Sequence, residues 1–386
     1  MIRILRNANV FAPAPLGKQD IVISTGQVAW VGESAPAIAD ELIEEVVDLA
    51  GARLIPGLID CHVHLTGGGG ESGPASKVPP LPLSAITRSG TTSVIGVLGT
   101  DDLTRSTASL VAAARGLVAE GISAWCLTGG YHLPPMTLTG SVRGDIVHID
   151  RILGVGEIAI SDHRSSQPTL DELLRVASDA HVAGLMTGKA GILHLHLGDG
   201  DRGLDLVRRS LETSEIPPRT FHPTHVNRRR QLFQEALEIA GQGCSIDITA
   251  FPEQDNDDEL AAVEAIESFW KSDLPTGRLT VSSDAGGSLP VFDGDGSVVS
   301  MGTGQSETLA ETIQILLQRQ HPLEKVLPPF TSNVADLFRL PHKGRIEVGA
   351  DADLVVLDTD GAVSDVMAMG RWHLRQGRVA VKGTFE

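Results

Sequence analysis

Between about residue 54 and residue 330, short apolar runs alternate with helical stretches along the chain. The apolar runs are 92–97, 124–127, 192–196, 245–248 and 279–282, and the helical stretches are 103–119, 170–183, 203–213, 229–241 and 258–272. Repeated strand-then-helix units predict a parallel sheet, because each helix returns the chain to the end where the next strand must start. The most economical α/β fold for such a series is a closed (β/α)8 barrel of the TIM type.

The two ends of the chain differ from the middle. Short alternating segments separated by glycine and proline occur at 2–5, 20–23 and 27–31, and similar segments return at 344–347, 352–357 and 378–381. Such segments are typical of strands, and we expect the N-terminal ones to be antiparallel. We therefore predict one small β-sandwich domain built from residues 1–53 and 340–386, with the barrel of residues 54–339 inserted between its two parts.

Residues 54–71, LIPGLIDCHVHLTGGGGE, end a predicted strand with two histidines and four glycines. Side chains two residues apart on a strand lie on the same face, so His62 and His64 can bind one metal ion together. The alternative is two surface histidines that happen to be neighbours. The glycine-rich loop favours a site, because glycine adopts backbone conformations that other residues avoid and loops carry function.

Further polar residues fall where predicted barrel strands end, which is the edge that carries the chemistry of such a fold. They are Glu157, His196, His225 and Asp284. A single strand-end histidine is more often structural than a ligand, and we assign that role to His194, since His196 lies nearer a glycine-rich break. Together, four histidines and two carboxylates supply enough ligands for two divalent metal ions.

Composition limits the partners and the compartment. The 386 residues, 41% of them hydrophobic, suffice for a large domain with a smaller companion. The formal net charge of −18 argues against nucleic acid and anionic membranes as partners. Cys61, Cys126 and Cys244 lie far apart in apolar segments, so we expect reduced thiols and a cytoplasmic protein. We also expect no signal peptide and no membrane span, which needs about 18 apolar residues.

These motifs resemble those of the amidohydrolase superfamily and, within it, of the isoaspartyl dipeptidases. Residues 54–64 and 349–355 are similar to the entry motif and the C-terminal β-domain signature of the superfamily. The segments more specific to the dipeptidases are 67–74 (GGGGESGP), 127–132 (LTGGYH), 160–165 (ISDHRS), 223–228 (PTHVNR) and 282–290 (SSDAGGSLP). The resemblance covers essentially the whole chain, and its motifs recur in the same order.

The resemblance implies two metal ions, with zinc as the first choice and manganese, iron or cobalt as alternatives. One position departs from the family pattern: Glu157 stands where the dipeptidases have a carboxylated lysine. A glutamate also offers two oxygens to bridge two metals, although its side chain is shorter. Lys189 is a weaker candidate for the carbamate. The remaining ligands would be His62, His64 and Asp284 for one metal and His196 and His225 for the other.

The resemblance also implies a charge-matched substrate pocket. An isoaspartyl dipeptide carries one ammonium and two carboxylates. Asp284 would take a proton from the nucleophile and pass it to the leaving amine. The other implied roles are Glu71 for the α-amino group, Arg164 and Arg228 for the carboxylates, Tyr131 as donor to the oxyanion, and Thr100 and Ser288 as further substrate contacts. For the two arginines and Glu71, a surface ion pair or a solvated charge is the alternative.

Three functions remain open at this point. The first is hydrolysis of isoaspartyl dipeptides by a hydroxide that bridges two metals. The second is hydrolysis of another small amide, such as an N-acyl amino acid or a cyclic imide. The third is a binding or scaffold protein without catalysis, in which Asp284 would have no purpose. We expect a homo-oligomer that acts on a small-molecule dipeptide, without nucleic-acid or membrane partners.

Overall fold

The computed structural model describes residues 1–251 and 258–386. Its N-terminal part contains the strands β1 (Ile2–Phe11), β2 (Pro15–Ser24), β3 (Gln27–Gly32), β4 (Ile43–Asp48) and β5 (Arg53–Pro56). β1 pairs antiparallel with β2, and β2 pairs antiparallel with β3, which confirms the predicted antiparallel strands. β4 and β5 both pair with β1 in the parallel direction.

A series of parallel strands follows. β6 to β11 are hydrogen-bonded in sequence order, and β12 pairs with β13. Beyond the end of β13, Ala285 forms a parallel bridge with Val63 of β6, so the first strand of the series lies beside the end of the last. The strands are β6 (Leu58–Val63), β7 (Thr91–Gly96), β8 (Ser123–Thr128), β9 (Ile152–Ile160), β10 (Ile192–Leu197), β11 (Phe221–Thr224), β12 (Ile246–Thr249) and β13 (Leu279–Ser282). All residues of β6, β7 and β10 are buried, as expected for parallel strands covered on both faces.

Helices connect these strands, and local sequence signals set their ends. They are α1 (Leu83–Arg88), α2 (Thr107–Glu120), α3 (Val142–His148), α4 (Leu170–Thr187), α5 (Asp205–Thr213), α6 (Arg230–Gly241) and α7 (Ala262–Phe269). The predicted start of α2 at 103 is wrong, because the Ser106 side chain accepts from the Ser109 amide and caps the helix there. α4 begins with a capping box of Thr169 and Glu172 and ends at Gly188, which has a φ of 75°. α7 is shorter than the predicted 258–272.

The C-terminal part returns to the N-terminal sheet. β16 pairs antiparallel with β5, so strands from both chain ends belong to one nine-stranded sheet. The strand predicted at 344–347 is wrong: Gly344 has a φ of 71°, which interrupts an extended backbone, and Ile346 packs into the core of the terminal sheet from an irregular segment. The remaining elements are β14 (Ser288–Phe292), β15 (Val298–Thr303), α8 (Glu307–Gln318), α9 (Leu323–Val326), α10 (Ser332–Phe338), β16 (Leu354–Leu357), β17 (Val363–Ala368), β18 (Arg371–Arg375) and β19 (Arg378–Val379).

The boundaries at residues 53 and 340 stay a prediction. Among the residues that the structure describes, no helix combines the length and the apolar character needed to cross a bilayer. Most of the buried apolar side chains lie between the parallel strands and their helices, and a second cluster fills the terminal sheet. The polar residues discussed next lie at the carboxyl ends of the parallel strands and in the interior beneath them.

Candidate metal centre and active site

Glu157 lies among all four predicted histidine ligands. Its Oε2 atom is 2.9 Å from His196 Nδ1, 3.3 Å from His62 Nε2 and 3.6 Å from His225 Nε2, while its Oε1 atom is 3.5 Å from His64 Nε2. The side chain is fully buried. The shorter glutamate therefore reaches the position between the histidines, which was the open question about this residue.

A bulge in β9 gives Glu157 this position. The pairing register of β9 and β10 shifts between Leu193 and Leu195, where β9 carries one more residue than β10. Gly156 in this bulge has a φ of 140°, and a Cβ atom there would lie 2.5 Å from the backbone oxygen of His194. Only glycine fits so close an approach. Bulges redirect side chains, and this one turns Glu157 into the interior.

Asp284 completes the cluster from the loop after β13. Its Oδ1 atom is 3.1 Å from His64 Nε2 and 3.6 Å from His62 Nε2. Two sets of ligand atoms each lie within 4.8 Å of one another, and His62 belongs to both sets. The sets are His62, His64 and Asp284, and His62, Glu157 and His225. His196 lies outside both sets but contacts Glu157 directly.

Unpartnered buried atoms indicate that this cluster fits cations. His62 Nε2, Glu157 Oε1 and Asp284 Oδ1 are buried without a hydrogen-bond partner among the described residues. Buried polar atoms normally have a partner, so three unpartnered donor atoms in one cluster indicate that the cluster can hold a cation. Imidazole nitrogens and carboxylate oxygens are donors that zinc and other divalent transition metals accept.

The charges of the cluster point the same way. Burial by itself would raise the pKa of Glu157, but His62 and His196 outweigh it and hold the pKa well below its ordinary value. Burial would also raise the pKa of Asp284, yet the contact with His64 outweighs it and the pKa falls to about 2. Burial lowers the pKa of His62, but Glu157 outweighs it and raises this pKa to about 9. Two buried carboxylates that stay ionised need positive charge from protons or metal ions.

Glu71 lies in a polar pocket that Arg164 links to the cluster, since Arg164 contacts both Glu71 and His196. Its Oε1 atom accepts from Ser288 Oγ at 2.8 Å, from Thr100 Oγ1 at 3.1 Å and from Arg164 Nη1 at 3.4 Å. Its Oε2 atom is buried without a partner among the described residues. The structure thus brings together four of the predicted substrate residues and leaves one carboxylate oxygen available.

The two predicted arginines differ in their contacts. Arg164 donates to Asp162 through Nε at 3.0 Å and Nη2 at 2.7 Å, so most of its fork is already bound. Asp162 is not among the site residues predicted from the sequence, although it lies in the motif 160–165. The guanidinium of Arg228 lies 5.6 Å from the Phe251 ring centre, and no ion pair joins it to any residue that the structure describes. Arg228 is therefore the better placed of the two to bind an anion.

Tyr131 and Lys189 have distinct environments. The Tyr131 hydroxyl lies 2.9 Å from His196 Nδ1, and burial raises its pKa well above the ordinary value, so the phenol keeps its proton. Lys189 donates to the backbone oxygens of Ile146 and Ile149 at 2.6 and 2.7 Å, near the end of α3. Its ammonium thus has a structural role, which agrees with the prediction that Lys189 is a weaker candidate for the carbamate.

His194, predicted to be a structural residue, contacts His62, which is one of the ligand candidates. His194 and His196 lie on the same face of β10, and His194 Nε2 is 2.8 Å from His62 Nδ1. Burial lowers the pKa of His194 well below the ordinary value and that of His222 to about 4. His222 and Asp247 are not among the site residues predicted from the sequence. The signal was available, since each is an ionisable residue inside a short run that reads as a buried strand.

A cavity of about 350 Å³ opens above the cluster. Its walls combine the ligand candidates with the pocket residues, and Phe251 and Phe292 add apolar surface. The predicted site residues that line it are His64, Thr100, Tyr131, Glu157, Arg164, His196, His225, Arg228, Asp284 and Ser288.

Comparison with known proteins identifies the family. The amidohydrolase family matches residues 53–373. A β-aspartyl dipeptidase from the thermophilic, keratin-degrading Fervidobacterium islandicum AW-1, solved in complex with a β-Asp-Leu dipeptide, is 43% identical over 98% of both chains with a TM-score of 0.92. An allantoinase from Bacillus velezensis is 26% identical and covers 92% of this chain and 84% of its own. Dihydropyrimidinase from Brevibacillus agri NCHU1002, 18% identical over 99% and 97% of the two chains, shares the fold with a TM-score of 0.71. Because the amidohydrolase family matches most of the length of this chain, the chain belongs to that family.

Proposed function

We propose that this protein is a metal-dependent hydrolase of isoaspartyl dipeptides. The observation that carries the proposal is the buried, unpartnered Oε2 atom of Glu71 on the substrate side of a cluster of metal-binding side chains. A free, buried carboxylate oxygen next to the cavity-lining residues Thr100 and Ser288 suits the ammonium group of a dipeptide. The similarity to the Fervidobacterium dipeptidase, whose crystal contains β-Asp-Leu, supports this substrate class.

Two divalent metal ions, zinc by preference, fit the donor set. We propose that Glu157, which contacts all four histidines, would be a ligand of both ions. When bound, such ions would lower the pKa of a water molecule and polarise the scissile carbonyl. The other ligands would be His62, His64 and Asp284 for one ion and His196 and His225 for the second.

The residues of the chain supply the proton transfers. Asp284 is ionised at neutral pH and faces the cavity, so it can take the proton of the attacking water and later give it to the leaving amine. Tyr131 keeps its phenolic proton and can donate it in a hydrogen bond to the oxygen that becomes negative during attack. Without protonation by Asp284, the amine would be a poor leaving group.

Substrate recognition follows from the charges around the cavity. Glu71 would bind the ammonium, and Arg228 would bind one carboxylate with its fork. Arg164 would bind the second carboxylate through Nη1, which does not contact Asp162 and lies 3.4 Å from Glu71 Oε1, while Asp162 holds its other edge. Thr100 and Ser288 orient Glu71 and complete the contacts. This arrangement matches one positive and two negative groups on an isoaspartyl dipeptide.

The finer architecture is part of the proposal. We propose that β6 to β13 form a closed (β/α)8 barrel, which the bridge between Val63 and Ala285 supports. The terminal sheet would be a small β-sandwich domain of residues 1–53 and 340–386. All three cysteines are free and buried, which supports the cytoplasm as compartment. Homo-oligomeric assembly stays a prediction.

Hydrolysis of a cyclic amide is the second candidate, because the similarity to allantoinase extends over 92% of the chain. A cyclic amide has no free ammonium and would leave the buried Oε2 atom of Glu71 without a partner, which is costly for an oxygen of a charged group. This argument places the dipeptide first.

A substrate panel separates the two candidates. Purified protein of measured metal content would be assayed with β-Asp-Leu, α-Asp-Leu, N-acetyl-β-Asp-Leu, allantoin and dihydrouracil. We expect cleavage of β-Asp-Leu and large losses for the α-linked and N-acetylated peptides. Turnover of allantoin or dihydrouracil alone would replace the dipeptide by a cyclic amide, and no turnover of any compound by metal-loaded protein would support a non-catalytic role.

A further inference from the structure

A continuous chain of buried hydrogen bonds begins at His62 and runs away from the cavity. His62 Nδ1 lies 2.8 Å from His194 Nε2, and His194 Nδ1 lies 3.0 Å from His222 Nδ1. His222 Nε2 lies 3.0 Å from Thr280 Oγ1, which donates to Asp247 Oδ1 at 2.6 Å. All five side chains are fully buried, and they come from five different strands.

Asp247 is the acceptor at the far end. Besides Thr280, its oxygens accept from Thr224 Oγ1 at 2.7 Å, from Ser282 Oγ at 2.5 Å and from Cys61 Sγ at 3.3 Å. An ionised carboxylate accepts up to about four hydrogen bonds and donates none. Four hydroxyl or thiol donors around one carboxylate are therefore the pattern expected of an acceptor-only group.

The acceptor Asp247 fixes the position of every proton along this chain of hydrogen bonds. Because Thr280 gives its only hydroxyl proton to Asp247, it must accept from His222 Nε2–H. A neutral imidazole has one N–H, so His222 Nδ1 accepts from His194 Nδ1–H, and His194 Nε2 in turn accepts from His62 Nδ1–H. The remaining ring nitrogen, His62 Nε2, is the one that faces Glu157 and Asp284.

We propose that His194, His222, Thr280 and Asp247 are positioning residues that form a relay, fixing the His62 tautomer and ring orientation so that its Nε2 lone pair points at the metal centre. The direction of the relay is independent of any bound ion, because it starts from Asp247. The role assigned to it rests on the proposed metal centre but not on the identity of the substrate.

His62 is the ligand on which such a relay has most effect. It belongs to both sets of candidate ligand atoms in this cluster, so its orientation matters for either set. The other ligands are held differently: His225 Nδ1 lies 2.7 Å from Thr249 Oγ1, and His64 Nδ1 has no partner among the described residues. Hydrogen-bond partners of metal-binding histidines orient the ring, and their loss typically lowers metal affinity by about 10- to 100-fold.

The proton positions can be read directly by NMR. In metal-free, ¹⁵N-histidine-labelled protein, long-range ¹H–¹⁵N spectra separate protonated from unprotonated ring nitrogens. We expect neutral His194 with its proton on Nδ1 and neutral His222 with its proton on Nε2. The reverse tautomers, or a charged ring at either position at pH 7.5, would overturn the relay. This measurement needs neither metal nor substrate.

The effect on the metal centre is tested with a pair of variants at the relay's hydroxyl. Thr280→Val removes the hydroxyl at nearly constant volume, and Thr280→Ser keeps it. Zinc affinity of each protein would be measured by competition with a chelating dye, with circular dichroism to verify folding. We expect about 10- to 100-fold weaker binding of at least one zinc for Thr280→Val and near wild-type binding for Thr280→Ser.

The outcomes separate the relay from the proposed function. Equal zinc affinities for wild type and a folded Thr280→Val variant would overturn the positioning role. If Thr280→Val does not fold, the same loss of affinity in His222→Leu, with rescue in His222→Gln, is required instead, and wild-type affinity in His222→Leu would overturn the role. Absence of zinc binding by the wild type would remove the metal centre and with it the proposed function, whereas tight zinc binding with reversed tautomers would remove the relay alone.

Discussion

Two layers of the interior both contain histidines and a buried carboxylate, but they differ in whether their polar side-chain atoms have hydrogen-bond partners. β10 contributes to both, with His196 in one layer and His194 in the other. In the upper layer, ligand atoms are buried without partners, whereas in the lower layer no polar side-chain atom of the described residues lacks one. The upper layer consists of His64, Glu157, His196, His225 and Asp284, and the lower layer consists of His194, His222, Thr280 and Asp247.

The difference shows that partners, more than residue types, mark the reactive part of this interior. In the upper layer the pKa of Asp284 falls to about 2, so negative charge is kept beside the histidines. In the lower layer burial lowers the pKa of His222 to about 4, so this ring is neutral. The upper layer has unpartnered atoms that can bind cations, while every polar side-chain atom of the lower layer has a partner among the described residues. His62 joins the two, with one ring nitrogen in each.

The largest expected effect comes from removing charge in the upper layer. Glu157→Gln keeps the shape of the side chain but loses the negative charge that the surrounding histidines contact. We expect loss of at least one metal equivalent and of all detectable dipeptide hydrolysis. Metal analysis by mass spectrometry and the β-Asp-Leu assay measure both. Glu238→Gln, the same change on the exposed face of α6, is the control and is expected to retain metal and activity. Two bound metals and full activity in Glu157→Gln would refute the bridging role.

The second effect concerns proton transfer by Asp284. Asp284→Asn keeps an oxygen near His64 but cannot accept and return a proton. We expect kcat to fall by about 10²- to 10⁴-fold, the usual contribution of a positioned acid or base. Metal content must be measured in the same samples, since Asp284 is also a candidate ligand. A variant that retains its metal and its kcat would show that another group moves the proton.

A smaller effect is expected at Glu71, which contacts the cavity-lining residues Thr100, Arg164 and Ser288. Glu71→Gln preserves the contacts with Thr100 and Ser288 but removes the charge offered to the substrate ammonium. A hydrogen bond to a charged group is worth about 1.5–3 kcal/mol, so kcat/KM for β-Asp-Leu should fall by about 10- to 100-fold. A substrate analogue without the amino group provides the control, because wild type and variant should then be equally active. An equal loss on both substrates would assign Glu71 to the structure of the pocket.

The alternation of strands and helices was readable from the sequence because buried parallel strands are continuous apolar runs. The predicted runs 192–196 and 279–282 correspond to β10 and β13. The terminal strands were harder to predict, since half-exposed strands such as β17 and β18 contain polar residues. The segment 344–347 alternates like a strand, but Gly344 turns the backbone there.

The types of ligand residue could also be predicted from the sequence, whereas the positions of their side chains could not. Histidines and acids at strand ends predict a metal site, but the position of Glu157 depends on a bulge that only pairing with β10 reveals. The hydrogen bond from Arg164 to Asp162 likewise depends on the conformation of a loop. His222 and Asp247 were missed because each interacts with residues distant in sequence, such as Thr280.

The smallest effect is expected from His222→Gln in the lower layer. This variant should change how the free energy of unfolding depends on pH and should affect catalysis least. The pKa of His222 is about 4 in the folded protein and 6.5 is its ordinary value, so below pH 6.5 the unfolded chain binds the proton more strongly. His222 therefore stabilises the fold fully above pH 6.5, and this contribution is lost as pH falls toward 4, with a slope of at most about 1.4 kcal/mol per pH unit. His222→Gln can still donate and accept but does not titrate, so its free energy of unfolding should fall less steeply over this range. Urea unfolding of metal-free protein from pH 7 to pH 4 measures the slopes, with the exposed His148→Gln as control. Equal slopes in wild type and His222→Gln would mean that His222 accepts a proton as readily in the folded protein as in the unfolded chain, and the lower layer would then resemble the upper one.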